Sequence, residues 1–300
     1  MFIVNHRKIF FTISILLLIL SVGAIGYYGF NLSIDFTGGS ILEVSYEGER
    51  PEQVAIQAAI TAMDLGGFSA RPAGERGYVV RTKELDQAGK ESLLTALSID
   101  GQYQLTAERF NSIGPVIGVE LRHKSYQAII VVLLCILIFI TLAFRKVSRP
   151  VASWKYGLVT LAALLHDVII PTGIFVVYGQ FTGAEIDLLF VAALLAILGY
   201  SVHDTIVVFD RVRENLQRNQ EAKRTESFDV VVGKSLTQTM TRSINTSLTT
   251  ILALLTLYFL GGSATEHFVF LLLVGMIAGV YSSVFIASPL LVFLAPKTGE

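Results

Sequence analysis

The chain has 300 residues, 53% of them hydrophobic and 16% charged, with a mean hydropathy of +0.62. That composition excludes an ordinary soluble domain and fits a protein that crosses a membrane several times. The formal net charge of −1 says little about partners, nucleic acid is not expected among them, and the information lies in where the charges sit.

Apolar windows of about 20 residues cover a hydrocarbon layer of roughly 30 Å as helices. Six such windows can be drawn, at residues 9–28, 128–144, 157–178, 188–209, 244–260 and 268–294. Pro289 in the last predicts a kink, because it removes a backbone hydrogen bond. The first window has the basic start and apolar middle of a signal peptide, but its length and the poor cleavage site in SVGAIGYYG favour an uncleaved anchor. Cys135, the single cysteine, falls in the second window and has no internal disulfide partner.

Cytoplasmic loops retain Lys and Arg. Arg7 and Lys8 precede the first window, Arg145, Lys146, Arg149 and Lys155 follow the second, and Arg211, Arg213, Arg218, Lys223, Arg224 and Lys234 follow the fourth. The intervening loops GQFTGAEID and GGSATEH have none. Both termini are therefore expected in the cytoplasm, and the long polar stretch 31–124 outside. The expected organisation is an N-terminal span (1–30), an extracytoplasmic domain (31–124) and a five-helix membrane domain (125–300) with a cytoplasmic loop at about 210–240.

Within the outer stretch, SILEVSYE alternates as a half-buried strand does, with Leu42, Val44 and Tyr46 on one face. PEQVAIQAAITAMDLGG predicts a helix whose apolar side includes Val54, Ile56, Ala58, Ala59, Ile60 and Met63. FSARPA and YVVRTK around GERG form a hairpin signal. LDQAGKESLLTALS reads as a second helix and YQLTAERF as a last strand. The order βαββαβ is the ferredoxin-like arrangement, so the expected fold class is a six-helix membrane bundle carrying a small α+β domain. No catalytic set occurs in that domain.

Ionisable groups at the centre of a membrane helix cost about 2.5–3.5 kcal/mol, so each calls for a partner or a task. His166 and Asp167 lie near the middle of the third span, and His203 and Asp204 in the inner third of the fourth. Arg242 stands near the cytoplasmic edge of the fifth, followed by Ser243, Asn245, Thr246, Ser247, Thr249 and Thr250, a hydroxyl-rich face suited to helix packing or a hydrated path. Asp204 and Arg242 lie at similar depth and are expected to pair. A carboxylate and a guanidinium that move relative to each other in low dielectric hold and release a proton in turn. One charge crossing the membrane potential is worth about 2.3 kcal/mol per 100 mV, enough to bias a conformational change.

A structural ion pair stays open as the alternative. Asp204 is only about five residues, roughly 7.5 Å, from the end of its span, and Arg242 is long enough to snorkel. His166 and Asp167 read first as polar groups that pack helices. A metal site would need both His-Asp pairs to converge from different helices, because neighbours on one helix point about 100° apart. Ser201, His203 and Asp204 diverge around one helix and make no hydrolytic triad. After Asp204 the segment VVFDRVRENLQRN reads as an amphipathic linker at the membrane surface, with Asp210 facing Arg213 or Glu214 and Arg211 facing Asn215.

Four segments carry a family resemblance: SIDFTGGS (33–40), HDVIIPTGIF (166–175), GYSVHDTIVVFDRVREN (199–215) and SLTQTMTRSINTSLTTIL (235–252). Together they resemble the SecD/SecF protein-export family, in its smaller, SecF-type members, over essentially the whole chain. The family is related to the resistance-nodulation-division transporters. The resemblance implies an accessory subunit of the bacterial Sec translocase in the cytoplasmic membrane. Such subunits work with SecD beside the SecYEG channel and use the proton-motive force to complete preprotein translocation. YajC and YidC are further candidate partners, and neither enzyme activity, cofactor nor metal is implied.

By motif, Asp204 matches the family's proton-linked aspartate and Arg242 the arginine that opens the fifth span. Asp35, Gly38 and Gly39 match the turn after the first span, where the glycines suit a tight turn into a strand. The chain departs from the family at His203, where Asn is common, and at Ser33, where Gly is frequent. An imidazole, which ordinarily titrates near pH ~6.5, would tune the site or join the relay. Two other readings remain open at this point: half of an exporter for small hydrophobic molecules, and a passive scaffold of the channel.

Overall fold

The computed structural model describes residues 2–65, 67–145, 151–224 and 226–295. Lys146 and Arg149, counted above among the orienting charges, lie outside the described residues. The chain divides into two compact units, Leu32–Tyr126 and Met1–Asn31 with Gln127–Glu300.

A short α1 (Phe2–Asn5) and the long α2 (Arg7–Tyr28) open the chain. The smaller unit follows as α3 (Ile34–Thr37), β1 (Gly39–Tyr46), α4 (Gln53–Thr61), β2 (Ser69–Ala73), β3 (Gly77–Thr82), α5 (Gln87–Leu97) and β4 (Leu105–Ile113). Its sheet has the order β2-β3-β1-β4 with every pair antiparallel, Leu42 of β1 standing opposite Val80 and Phe110. This is the ferredoxin-like βαββαβ fold. One sheet face buries Leu42, Val44, Tyr46, Tyr78 and Val80 against Ile56 and Ile60 of α4 and Leu93 and Leu97 of α5.

Val54 does not join them. It is 74% exposed, because the seam of α4 runs through 56 and 60 and a residue two positions earlier points about 200° away. Ala58 is exposed for the same reason. The buried hydroxyls are satisfied: Tyr46 Oη donates to the Leu97 carbonyl at 3.0 Å and Tyr78 Oη to that of Pro51 at 2.8 Å. Burial, reinforced by Tyr78, pushes the Tyr46 phenol up to about 12.

At the turn into β1, Gly38 and Gly39 have φ of +74° and +123°, values that disfavour any side chain. A Cβ on Gly38 would also lie 2.6 Å from Pro115 Cα, so the turn needs glycine twice over. Ser33 Oγ accepts from the Asp35 amide at 3.1 Å and caps α3, a bond that glycine at this position would lack.

The larger unit contains α2, part of α6 (Pro115–Ala143), α7 (Ser153–Thr182), α8 (Leu188–Glu221), α9 (Phe228–Leu260) and α10 (Ser263–Ser282). A π-helical turn (Ser283–Ala287) joins α10 to α11 (Ser288–Phe293). Among the described residues six helices are long and apolar enough to cross a membrane, the last running through the π turn. Burial ranks them: 67%, 50% and 61% of the most apolar window is buried in α7, α8 and the α10–α11 span, against 11%, 6% and 11% in α2, α6 and α9. The first three are the interior of the bundle.

Where the sequence predicts a kink, the chain forms the π turn, just before Pro289. Proline offers no N–H to the Phe285 carbonyl, and the preceding turn widens to accommodate it. The basic stretch after the fourth window, expected as an amphipathic linker, is part of a transmembrane-length helix. It continues α8 without a break and forms a helical hairpin with the start of α9. Val208 and Val212, one turn apart, pack on Val232 and Leu236. Asn215 turns away from Arg211: its Nδ2 donates to Ser235 Oγ at 2.8 Å and Gln238 Oε1 at 2.9 Å. Arg211 pairs with Glu214 at 2.6 Å, and Arg213 with Asp210.

Candidate functional site

Asp204 is 7% exposed on α8, and its Oδ2 has no hydrogen-bond partner among the described residues. It lines a small open pocket with Tyr200, His203, Arg242, Ser243 and Thr246. Tyr200 Oη donates to Ser247 Oγ at 2.9 Å and ties α8 to α9 beside the pocket. Ser243 faces Asp204 from α9, yet its Oγ is likewise buried without a partner at hydrogen-bond geometry.

The expected Asp204–Arg242 ion pair is not formed. Among the described residues no ion pair within 4.0 Å joins them, although both line the pocket. Arg242 projects from the exposed side of α9, together with Asn245, Thr246 and Thr249, and His203 is exposed on α8. The pocket therefore opens onto a polar face made of two membrane helices. Asn245 lies on that face outside the pocket lining, and Thr246 belongs to both.

The other His-Asp pair is elsewhere and differently solved. Asp167 is wholly buried, and its Oδ2 accepts from Ser201 Oγ of α8 at 2.5 Å and Ser282 Oγ of α10 at 2.7 Å. Its Oδ1 lies 2.9 Å from His166 Nδ1. The imidazole stacks on Tyr281 with ring centroids 5.9 Å apart, and its Nε2 is buried without a partner. Pro171, one turn on, lacks the N–H that would reach the Asp167 carbonyl. Sequence reasoning placed His166 and Asp167 as packing groups and missed Ser282, Tyr281 and Tyr200, because a hydroxyl's partner depends on which helices meet. Among the described residues no group of three or more His, Cys, Asp or Glu assembles that could hold a metal.

Asp35, Gly38 and Gly39 belong to the smaller unit, where α3 and the turn after it lead into β1. They form no part of the membrane pocket.

The family model for the C-terminal region of the protein-export membrane proteins SecD/SecF matches residues 95–297, and the SecD/SecF GG motif matches residues 24–49, which contain Gly38 and Gly39. The protein translocase subunit SecF of Thermobaculum terrenum is 40% identical, with 97% of this chain and 92% of the relative covered. That of Anaerolinea thermophila is 35% identical over the same shares. Among solved structures, SecDF of Thermus thermophilus, described as a translocon-associated membrane protein, superposes with a TM-score of 0.79 at 32% identity. A SecDF structure in the super-membrane-facing form gives 0.66 at 31%. Each covers 97% or 96% of this chain, and this chain spans 38% of the SecDF chain in both. With the residues of both motif regions accounted for and the matches running nearly end to end, the chain belongs to the SecD/SecF family of protein-export membrane proteins.

Proposed function

We propose that this multi-pass protein is a non-enzymatic subunit of the bacterial Sec translocase that uses the proton-motive force in late preprotein translocation. Asp204 is the group that takes up and releases the proton, and Arg242 is its alternating partner. The observation that carries this reading is the Asp204 carboxylate, buried with one oxygen unpartnered, in a pocket shared with an arginine it does not touch. A group kept only for stability would be expected to have its oxygens satisfied. A group that must change partners during a cycle is expected to have a free one.

The exposed His203, Arg242 and Asn245 support a second part of the proposal. Such groups are costly against lipid, so the α8–α9 polar face needs a polar cover from another set of membrane helices. A SecD chain supplies that cover in our reading, consistent with this chain spanning 38% of the SecDF chain it resembles. The SecYEG channel is the site of action, with YajC and YidC as further partners. The termini lie in the cytoplasm and residues 31–124 outside, as the Lys and Arg distribution indicates.

The test is preprotein export and proton flux in membranes holding Asp204→Asn or Arg242→Ala at wild-type protein levels. We expect proton-dependent export to fall at least about tenfold in both, the loss typical of removing a group that moves a proton. Full activity in both would remove the proton role and leave a passive scaffold. His203→Asn is expected to retain export with a shifted pH profile, and an unchanged profile would take His203 out of the relay.

A further inference from the structure

Helices α8 and α10 meet along a ladder with a four-residue repeat on each side. At the first rung, a Cβ on Gly275 would lie 2.1 Å from Ile197 Cδ1. At the second, a Cβ on Gly279 would lie 3.1 Å from Ser201 Cβ. At the third, Thr205 Oγ1 and Ser283 Oγ are 2.9 Å apart. The residue pairs advance in the same direction, so the helices run parallel, and small residues let the backbones close up as they do in membrane bundles. The π turn begins at the third rung.

A seam that repeats every four residues does not by itself fix which rung meets which. One element can move past another by a helical turn, about 5.4 Å, where both positions pack. Asp167 distinguishes the rungs. Its Oδ2 takes the hydroxyl of Ser201 from one helix and that of Ser282 from the other, and Ser282 lies next to the third rung. A slip of α8 that brought Ile197 to the place of Ser201 would leave a fully buried carboxylate without its α8 donor, and the opposite slip would put the bulkier, β-branched Thr205 where Ser201 fits. Either slip would also carry Asp204, three residues after Ser201, about 6 Å along the helix axis at ~1.5 Å per residue.

We propose that Asp167 is a positioning residue: by holding Ser201 and Ser282 on one oxygen, it sets the register of α8 against α10 and so holds Asp204 in its pocket beside Arg242. This rests on the reading of Asp204 as the proton-carrying group. The titratable and charged groups lining the Asp204 pocket are Tyr200 and His203 of α8 and Arg242 of α9. Those around Asp167 are His166 on its own helix and Tyr281 of α10, whose Oη donates to the Phe10 carbonyl of α2 at 3.0 Å. None of these is altered by the substitutions below.

The test reads Asp204 directly, without transport. Native membranes holding the full chain and its partners are treated with dicyclohexylcarbodiimide, which modifies protonated carboxyls. The modified Asp204 peptide is then quantified against pH by mass spectrometry, with Asp204→Asn identifying the signal. Asp167→Ala and the double variant Ser201→Ala, Ser282→Ala are both expected to move the labelling midpoint by at least about 0.5 pH unit at wild-type protein level, because the surroundings of Asp204 set where it titrates. An unchanged midpoint in both overturns the positioning role. If Asp167→Ala fails to accumulate, the double serine variant decides alone, since it keeps the carboxylate. Failure of the underlying reading shows separately, as wild-type proton flux in Asp204→Asn while the labelling shift persists.

Discussion

Asp167 and Asp204 both follow a histidine, both lie in apolar helices and both are buried, yet the protein treats them in opposite ways. Asp167 has hydroxyl donors from two other helices on one oxygen and an imidazole at the other. Asp204 keeps an oxygen without any partner among the described residues, in a pocket that opens to a polar face. Identical dipeptides thus give a satisfied carboxylate in one place and an unfinished one in the other. What separates them is the neighbours: α7 is enclosed by α2, α8 and α10, whereas Asp204 faces α9, whose side chains are mostly exposed. A buried acid signals a task only when its bonding capacity is left open.

The largest effect that would break this contrast is on stability. Asp167→Asn keeps a carbonyl oxygen that can take both hydroxyls but removes the charge that strengthens those two bonds and the carboxylate oxygen beside His166, and is expected to cost about 2 kcal/mol. Asp204→Asn, which removes an unsatisfied carboxylate, is expected to change stability by less than about 1 kcal/mol. Denaturation of the purified full chain in detergent measures both, and equal losses would mean that the two sites are structurally equivalent.

Smaller but sharper is the pair of hydroxyl deletions. Ser282→Ala takes a donor from Asp167 and should lower stability by about 1.5 kcal/mol, the scale of a hydrogen bond to a charged group. Ser243→Ala removes a buried hydroxyl that has no partner and should alter stability by less than about 0.5 kcal/mol. A loss at Ser243 as large as at Ser282 would show that Asp204 is held after all.

The smallest effect belongs to a carboxylate at the far end of the α8–α9 hairpin. Lys234 Nζ lies 2.5 Å from Glu226 Oε1, and that bond, with a second from Asn219, holds the Glu226 carboxyl below its ordinary value of 4.5. A lowered folded value means that the ionised form stabilises the fold above about 4.5, and that this contribution is lost as pH falls through the folded value. Protection of the Phe228–Lys234 amides, taken relative to the intrinsic exchange rate at each pH, should therefore fall modestly in acid. Glu226→Gln should abolish that acid-dependent part, and an identical acid response in the variant would assign it to other groups.

Much of the architecture is legible in the sequence because its causes are local. Alternation in SILEVSYE and the four-residue spacing of Ile56 and Ile60 place the core of the small unit. Hydropathy places the six long helices. Gly38 and Gly39 mark a turn whose φ values only glycine adopts comfortably. The same local signals overreach at the ends of helices. Charged residues after Phe209 resemble a surface linker, yet Val212 keeps the buried seam of α8 running into its hairpin with α9.

The pairing of polar groups was decided only by the tertiary structure. Both His-Asp dipeptides are visible in the sequence as costly groups in apolar helices, and so is the arginine that opens the fifth span. Nothing local says that Ser201 and Ser282, 81 positions apart by number, meet on one oxygen of Asp167, or that Arg242 stops short of Asp204. Hydropathy and periodicity report what a residue prefers to be near. Which donor arrives is set by helix neighbours and their register, and those are properties of the packed bundle.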